Sequence, residues 1–545
     1  MPNLNLINDP FIRIIDLDGN EREVSIKEAL IQAQQIKSIS GDCLAQDKAI
    51  ERILRAFLYP VIEHFNADGE PEVLEDYEQA LERWMNIWNQ GFFPSEPLLD
   101  YLQKFENRFN LIDPQHPAFQ VHETEEFIEF KALNGKIARG DGRNPRTIEK
   151  LVGTVFASKT RPRVWSDRYF SDRDAISPEE AARWLIFINV FDDASFKKPS
   201  TDIHAAFCGQ MTGIYAEGKN LFETLMLNLP LCSNDEILLT GNVPYWEMKP
   251  LGRSQVVVTP PDNPAYLLSF PYRRMNLTFN DEGQVTGYEV TGHHSFNTEK
   301  YRIETNGVFR NPNPEKGIEL GFKKLSSDWI WKSYSDLFID TDNQTRPGVI
   351  DWIETLISNY ELDIPNLKFR SVTVDYKSMQ CVIADMTEDS LILNSSLLNE
   401  SSSEWRQEIG ITVSNLKKCA EQTGIFYKNL FIAEGGDPGK DHPFKLGESL
   451  FWNKIDQPFR NWLAGISSIS DFMEKEAVIR EAVYSITGEI IQDKRATSTL
   501  KTAIGRTVET VKGKQTVETE FNLQKACSIY KNSVRKIMEG EKDGQ

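Results

Sequence analysis

Past Asp385 the chain changes character, and that change limits the architectures open to it. Four long segments carry apolar residues at helical spacing: Glu404–Leu430, Leu446–Ile466, Ser470–Asp493 and Val517–Met538. Gly435-Gly436-Asp437-Pro438-Gly439 separates the first two. Four amphipathic helices on mostly short connections must bury their apolar stripes against one another, so a four-helix bundle is expected. The sequence before it is mixed. The first 35 residues read as strand, turn, strand, helix, with Phe11–Leu17 a strand, Asp18-Gly19-Asn20 a turn, and Val24–Gln35 starting the helix. Ala45–Phe65 and Val73–Trp88 have helical period. Ser177, Pro178 and Glu179-Glu180 form an N-cap, an N1 proline and an acidic first turn, opening a helix that runs to about Phe191. Gln255–Val258, Tyr266–Ser269, Gln284–Val290 and Phe369–Tyr376 read as strands, the last leading into Lys377–Ala384. The expected class is α+β: a large mixed α/β N-terminal domain over residues 1–380, then a C-terminal four-helix bundle over 381–545.

At 545 residues the chain has room for two or more domains. No run of 18 apolar residues exists, so no membrane span or membrane partner is expected. MPNLNLINDPFIRI lacks the basic-then-apolar pattern of a secretory signal. Cys43, Cys208, Cys232, Cys381, Cys419 and Cys527 are far apart with no C-x-x-C pair, which argues against a disulfide framework or a zinc site and fits a cytoplasmic protein. The net charge of −20 argues against a free-standing, non-specific nucleic-acid binder. It leaves room for a subunit that touches DNA through a small local patch.

Motifs for catalysis are missing. There is no G-x-x-x-x-G-K-[ST], no G-x-G-x-x-G after a strand and no G-x-S-x-G. Asp192-Asp193, a carboxylate pair at a helix end, has no partner acid or histidine at a known spacing and reads as structural. His293-His294 would be the starting point of a metal-dependent hydrolase, a rival reading that lacks a recognisable ligand set. Basic stretches interleaved with aromatics are more informative. Lys159, Arg161, Arg163 and Arg168 alternate with Trp165, Tyr169 and Phe170; cations neutralise phosphates and aromatics stack or wedge. Lys300-Tyr301-Arg302 and Phe309-Arg310 repeat the theme, and Arg273-Arg274-Met275 and Phe196-Lys197-Lys198 do so more weakly.

Several ordered segments carry a resemblance. They are NLINDPFIRI with its Asp-Gly turn and VSIKEAL; FNLIDPQHPAFQV at Phe109–Val121; TRPRVWSDR and then SPEEAARWLIFINVFDD; NLFETLMLNLP at Asn220–Pro230; Pro244–Glu247; and FWNKIDQPFRNW at Phe451–Trp462. In this order and spacing the set resembles the CasA family, the large subunit of the type I-E CRISPR Cascade complex. The resemblance implies a subunit without catalysis or cofactor of its own. It implies assembly with crRNA and the other Cascade subunits, recognition of the protospacer-adjacent motif (PAM) in double-stranded target DNA, and recruitment of the nuclease-helicase.

It also assigns DNA-binding residues. Gln380, with Met379 beside it, resembles the family's wedge beside the PAM; a wedge costs roughly a few kcal/mol of unstacking per step. Lys300 matches a lysine that reaches the minor groove, where acceptors predominate. A glycine-rich loop of the family corresponds to Asp192–Lys198, which has no glycine here; Ser195, Lys197 and Lys198 would supply side-chain contacts instead. The family's long loop corresponds to about Ala157–Asp174, with Trp165 as the aromatic anchor and Lys159, Arg161 and Arg163 as its cations. The missing glycines leave a second reading open, a structural scaffold of a crRNA ribonucleoprotein without PAM reading.

Overall fold

A computed structural model describes residues 4–113, 115–121, 128–131, 137–140, 144–152, 175–194, 205–233, 237–251, 261–293, 303–310, 321–325, 329–339, 344–360, 362–377, 382–512 and 515–540. The chain divides into two compact units. One comprises Met1–Asp363 and Lys368–Ser390, the other Ile364–Leu367 and Leu391–Gln545. The class is mixed α and β, with helices of 31, 23 and 29 residues in the C-terminal part.

The first unit is organised around helix Leu44–His64, in which every residue from Ala45 through Glu63 is buried. Burial of charge is tolerated only with partners, and they come from distant parts of the chain. Arg52 pairs with Glu304 at 2.8 Å. Arg55 donates to the Asn228 carbonyl at 2.6 Å and to Asn306 Oδ1 at 2.8 Å. Glu63 accepts from the backbone N–H groups of Gly241 and Asn242 at 2.8 and 2.9 Å. Tyr59 donates to the Pro230 carbonyl at 3.0 Å. The NLFETLMLNLP segment, whose helix is Leu221–Leu227, is thereby fastened to this central helix.

Antiparallel three-stranded sheets accompany it. In one, Glu21–Val24, Ile12–Asp16 and Ile36–Ile39 lie in that order. Its first hairpin turns on Asp16, whose Oδ1 accepts from the Asp18 and Asn20 N–H groups, with Gly19 at φ +88°. Another is ordered Asn144–Thr147, Val285–His293, Arg273–Phe279. A further sheet is ordered Val382–Asn394, Asn366–Lys377, Thr212–Glu217. Helix Pro178–Phe191 is capped by Ser177, which accepts from the Glu180 N–H at 3.2 Å, and is buried from Ala181 onward.

In the second unit, helix Ser403–Ala433 packs against His442–Ala464 and Leu523–Glu539, and Ile469–Thr497 packs against the same two, closing a four-helix bundle. Tyr530 stacks on Phe426 with ring centroids 4.8 Å apart and shares a 2.8 Å hydrogen bond with Thr423 in the bundle interior.

Two expected elements differ. Tyr266–Ser269 belongs to helix Pro264–Ser269: Asn263 accepts from the Tyr266 N–H at 2.9 Å and Pro264 opens the first turn, so capping prevails over β-rich composition. The segment Val517–Met538 is a strand followed by a helix. Arg506–Lys512 pairs antiparallel with Gln515–Phe521, and Asn522 then caps Leu523–Glu539 by accepting from the Lys525 N–H at 2.8 Å. The expected strand Gln255–Val258 lies outside the described residues.

Candidate nucleic-acid interface

Helix Pro178–Phe191 ends on carbonyls that no later turn satisfies, and donors from elsewhere in the fold take them up. The Tyr376 hydroxyl donates to the Phe191 carbonyl at 2.6 Å. Arg273 Nη2 donates to the Asp192 carbonyl at 3.2 Å and to the Asp193 carbonyl at 2.8 Å, while its Nε donates to Asp192 Oδ2 at 2.6 Å. The Ala206 N–H also reaches the Asp192 carbonyl, at 2.9 Å. Two carboxylates at a helix C-terminus oppose the negative end of its dipole, and cations compensate: Arg273 for Asp192, and Lys150 for Asp193 at 3.2 Å. Asp192, Asp193 and Arg273 are all buried. Burial, and next the charge of Asp192, hold the Tyr376 phenol well above its ordinary pKa of 10.0, so it remains a donor. Tyr288, on the neighbouring strand, is raised by burial and the same two carboxylates.

This cluster is where the segments singled out in the sequence are rooted. Lys150 lies in helix Ile148–Leu151, just before residues 153–174. Asp192 and Asp193 immediately precede 195–204, and Ala206 follows them. Arg273 is in register with His293, the last described residue before 294–302. Tyr376 is the penultimate residue of strand Asn366–Lys377, whose connection to Val382–Asn394 is 378–381. Lys159, Arg161, Arg163, Trp165, Ser195, Lys197, Lys198, Lys300, Met379 and Gln380 themselves lie outside the described residues. The fold thus joins the roots of four chain segments that are remote in sequence.

Other basic residues are placed differently from the sequence expectation. Arg273 and Arg274 are buried within their strand, and Arg273 holds the cluster together from inside. Phe309 is buried against Phe322, ring centroids 5.0 Å apart. Asp192-Asp193, read as structural, are buried and ion-paired. The aromatic motif segments form core: Trp246 stacks on Phe57 at 4.2 Å and meets Phe109 at 5.2 Å, and Tyr101 donates to Glu247 Oε1 at 2.6 Å. Sequence reading missed the role of Tyr376 and a polar cleft of roughly 470 Å³ beside the start of the central helix. In that cleft Glu217 is shared by Arg370 at 2.5 Å and Lys368 at 2.7 Å. Burial raises the Glu217 pKa, but the Arg370 hydrogen bond, the Lys48 charge and the Lys368 contact outweigh it and leave the group below its ordinary value. Among the described residues no group of three or more His, Cys, Asp or Glu side chains is placed to hold a metal ion, and no helix is long and apolar enough to cross a membrane.

A family model described as CRISPR-associated protein Cse1 matches residues 5–490. The chain belongs to the Cse1 family. The motif resemblance to the CasA, or Cse1, group is therefore confirmed. Among relatives, the CRISPR-associated protein CasA/Cse1 of Thermus thermophilus is 28% identical over 250 residues, which are 45% of this chain and 42% of that protein. The Cse1 structure from Thermobifida fusca superimposes with a TM-score of 0.78 at 21% identity, covering 99% of this chain and 98% of that one. A chain of a CRISPR RNA-guided surveillance complex superimposes with a TM-score of 0.70 at 14% identity, covering 98% of this chain and all of that one. At such identities the structures establish that this Cse1 chain has the same fold.

Proposed function

We propose that this chain is the large subunit of a type I-E Cascade surveillance complex, assembled with crRNA and the other Cascade subunits. In this reading it recognises the PAM in double-stranded target DNA, wedges the duplex to start strand separation and helps recruit the nuclease-helicase. It has no catalytic role of its own. Membership of the Cse1 family supports the assembly, as does the likeness to a chain of an RNA-guided surveillance complex. One observation carries the DNA-reading part: the roots of 153–174, 195–204, 294–302 and 378–381 meet at the Asp192–Arg273–Tyr376 cluster. A protein that reads a short duplex flank needs its contacts on one patch, and an acidic chain of net charge −20 has few places for one.

The roles follow from chemistry. Lys300 is a donor-only cation suited to minor-groove acceptors. Gln380 and Met379 form the wedge. Ser195, Lys197 and Lys198 contact the flank, and Lys159, Arg161, Arg163 and Trp165 contact crRNA or nearby DNA. In the assembled complex, Lys300→Ala and Gln380→Ala should each weaken binding to a duplex target by about tenfold, in the 1–3 kcal/mol range of a specific contact. The Gln380→Ala loss should disappear on a target whose flank is already unpaired. The absence of glycine in Asp192–Lys198 favours the rival scaffold reading, in which both substitutions leave duplex binding unchanged.

A further inference from the structure

The central helix carries a stripe of basic residues into the core. Lys48, Arg52 and Arg55 stand one turn apart on helix Leu44–His64, so they share a face, and all three are buried. Lys48 is matched on its own helix by Glu51, whose two carboxylate oxygens accept from its Nζ at 2.8 and 2.9 Å. The arginines are not matched in this way. Among the described residues Glu304 is the only carboxylate paired with either, and it meets Arg52 Nη1 alone. Arg55 Nη1 donates to neutral acceptors, the Asn228 carbonyl and Asn306 Oδ1. Two guanidinium charges, 0% and 1% exposed, therefore share one carboxylate. Cys208, which lies in electrostatic reach of both, does not supply the missing charge, because burial pushes its pKa up to about 12 and leaves the thiol neutral. Burial, and next the charge of Arg52, lower the Arg55 pKa from its ordinary value.

The same edge of each arginine stays open. Nε and Nη2 of Arg52 and of Arg55 are buried without a hydrogen-bond partner, and so is the Tyr215 hydroxyl. Nε and Nη2 form the side-on fork with which a guanidinium grips an anion. The Glu304–Asn306 segment ties these groups to one place. Asn306 accepts from Arg55, donates its N–H to Glu304 Oε1 at 3.0 Å, and donates Nδ2 to the carbonyl of Ile214, the neighbour of Tyr215, at 2.8 Å. We propose that the chain holds a chloride ion in its core, between the open edges of Arg52 and Arg55 and the Tyr215 hydroxyl. The open groups are donors, and an acceptor-only ligand suits them. The ligand carries the one negative charge that the buried cluster lacks. It is small because the residues that would hold it are sealed from solvent. Its place is structural: it fastens the Asn228 and Glu304–Asn306 segments to the central helix, independently of the function proposed above.

Diffraction from crystals of the full-length protein, grown with bromide in place of chloride and measured at the bromine absorption edge, tests the site without any substitution. An anomalous peak in contact with Arg52 and Arg55 is the expected result. Density there without anomalous signal, which is an ordered water only, overturns the proposal, as does no density. Urea unfolding in solution gives a second reading, with chloride replacing isethionate, a bulkier anion, at constant ionic strength. Once the site begins to fill, the unfolding equilibrium constant should fall about tenfold for each tenfold rise in chloride, as one-site linkage requires. Tyr215→Phe keeps the charges and removes one donor, so it should need about fivefold more chloride for the same effect. Arg55→Met removes the excess charge and should not respond to chloride. A parent protein indifferent to the exchange, or a Tyr215→Phe variant with an unchanged chloride requirement, overturns the proposal.

Discussion

Arg273 is 1% exposed and grips both the Asp192 carboxylate and the backbone that leads out of helix Pro178–Phe191. Replacing it by Met withdraws the cation from a buried carboxylate, which typically costs about 3–5 kcal/mol. Urea unfolding of Arg273→Met should report a loss of that order, and Lys150→Met, which strips the cation from the buried Asp193, a loss of the same kind. Asp47 gives a pH signature. Burial, opposed by the Gly41 N–H bond, raises its pKa from 3.8 to about 7. The unfolded carboxyl ionises at lower pH than the folded one, so between 3.8 and about 7 folding takes up a proton and stability falls as pH rises. The slope from this one group is on the order of 1.4 kcal/mol per pH unit at most. Asp47→Asn should flatten the stability profile across that window and be more stable than the parent at pH 8; an unchanged profile would show that Asp47 is ionised throughout. At this scale the sequence is legible only in part. Asp192-Asp193 can be read as structural because no catalytic partner stands at a recognised spacing. Arg273 reads as a surface cation, since nothing local tells that the strand carrying it is buried. Tyr376 gives no signal of its role, because its partner is 185 residues away.

Among elements, the bundle helices are the most legible, since a helical apolar period over twenty or more residues has few other ways to be buried. The pattern does not reveal how closely they cross. Gly447 lies where a Cβ would come 2.6 Å from the Thr423 carbonyl and 3.0 Å from the Gly424 Cα, so helices Ser403–Ala433 and His442–Ala464 meet backbone to backbone. Gly447→Ala should force them apart at a cost of about 1–3 kcal/mol. At Gly488, in helix Ile469–Thr497, an added methyl group would meet nothing within 4 Å, and Gly488→Ala should be neutral or stabilising by up to about 1 kcal/mol. Far-UV circular dichroism during denaturation distinguishes the two; equal effects would refute the close crossing. The hairpin escapes the sequence reading for an instructive reason. Thr507-Val508-Glu509-Thr510 and Thr516-Val517-Glu518-Thr519 are the same four-residue string of β-rich alternation, and they pair across the ladder, Val508 opposite Thr519 and Thr510 opposite Val517. Val517 also fits the helical period of the residues after it, and the longer pattern masks the shorter. Asn522, an N-cap placed five residues inside the supposed helix, is the available correction.

For the molecule as a whole, family and fold class are readable because the motif segments are mostly core. Phe57, Phe109 and Trp246 pack on one another, and the NLFETLMLNLP segment is bonded to the central helix. Segments that build a core constrain the fold whether or not they touch a ligand. The candidate interface follows the opposite logic. Its side chains sit on segments whose sequence is basic and aromatic but has no fixed period, and what unites them is a buried cluster of residues from four places in the chain. Composition adds one constraint: at a net charge of −20 the isolated chain should hold duplex DNA weakly, so the proposed recognition would depend on assembly. In the proposed function this subunit gives the assembly its preference for a flanking sequence. The most direct measurement is binding of a crRNA-loaded complex, prepared with and without this chain, to duplex targets carrying a randomised flanking trinucleotide. A flank preference that exists only when the chain is present is the predicted result. Equal binding to all flanks, or the same preference in both preparations, would contradict it.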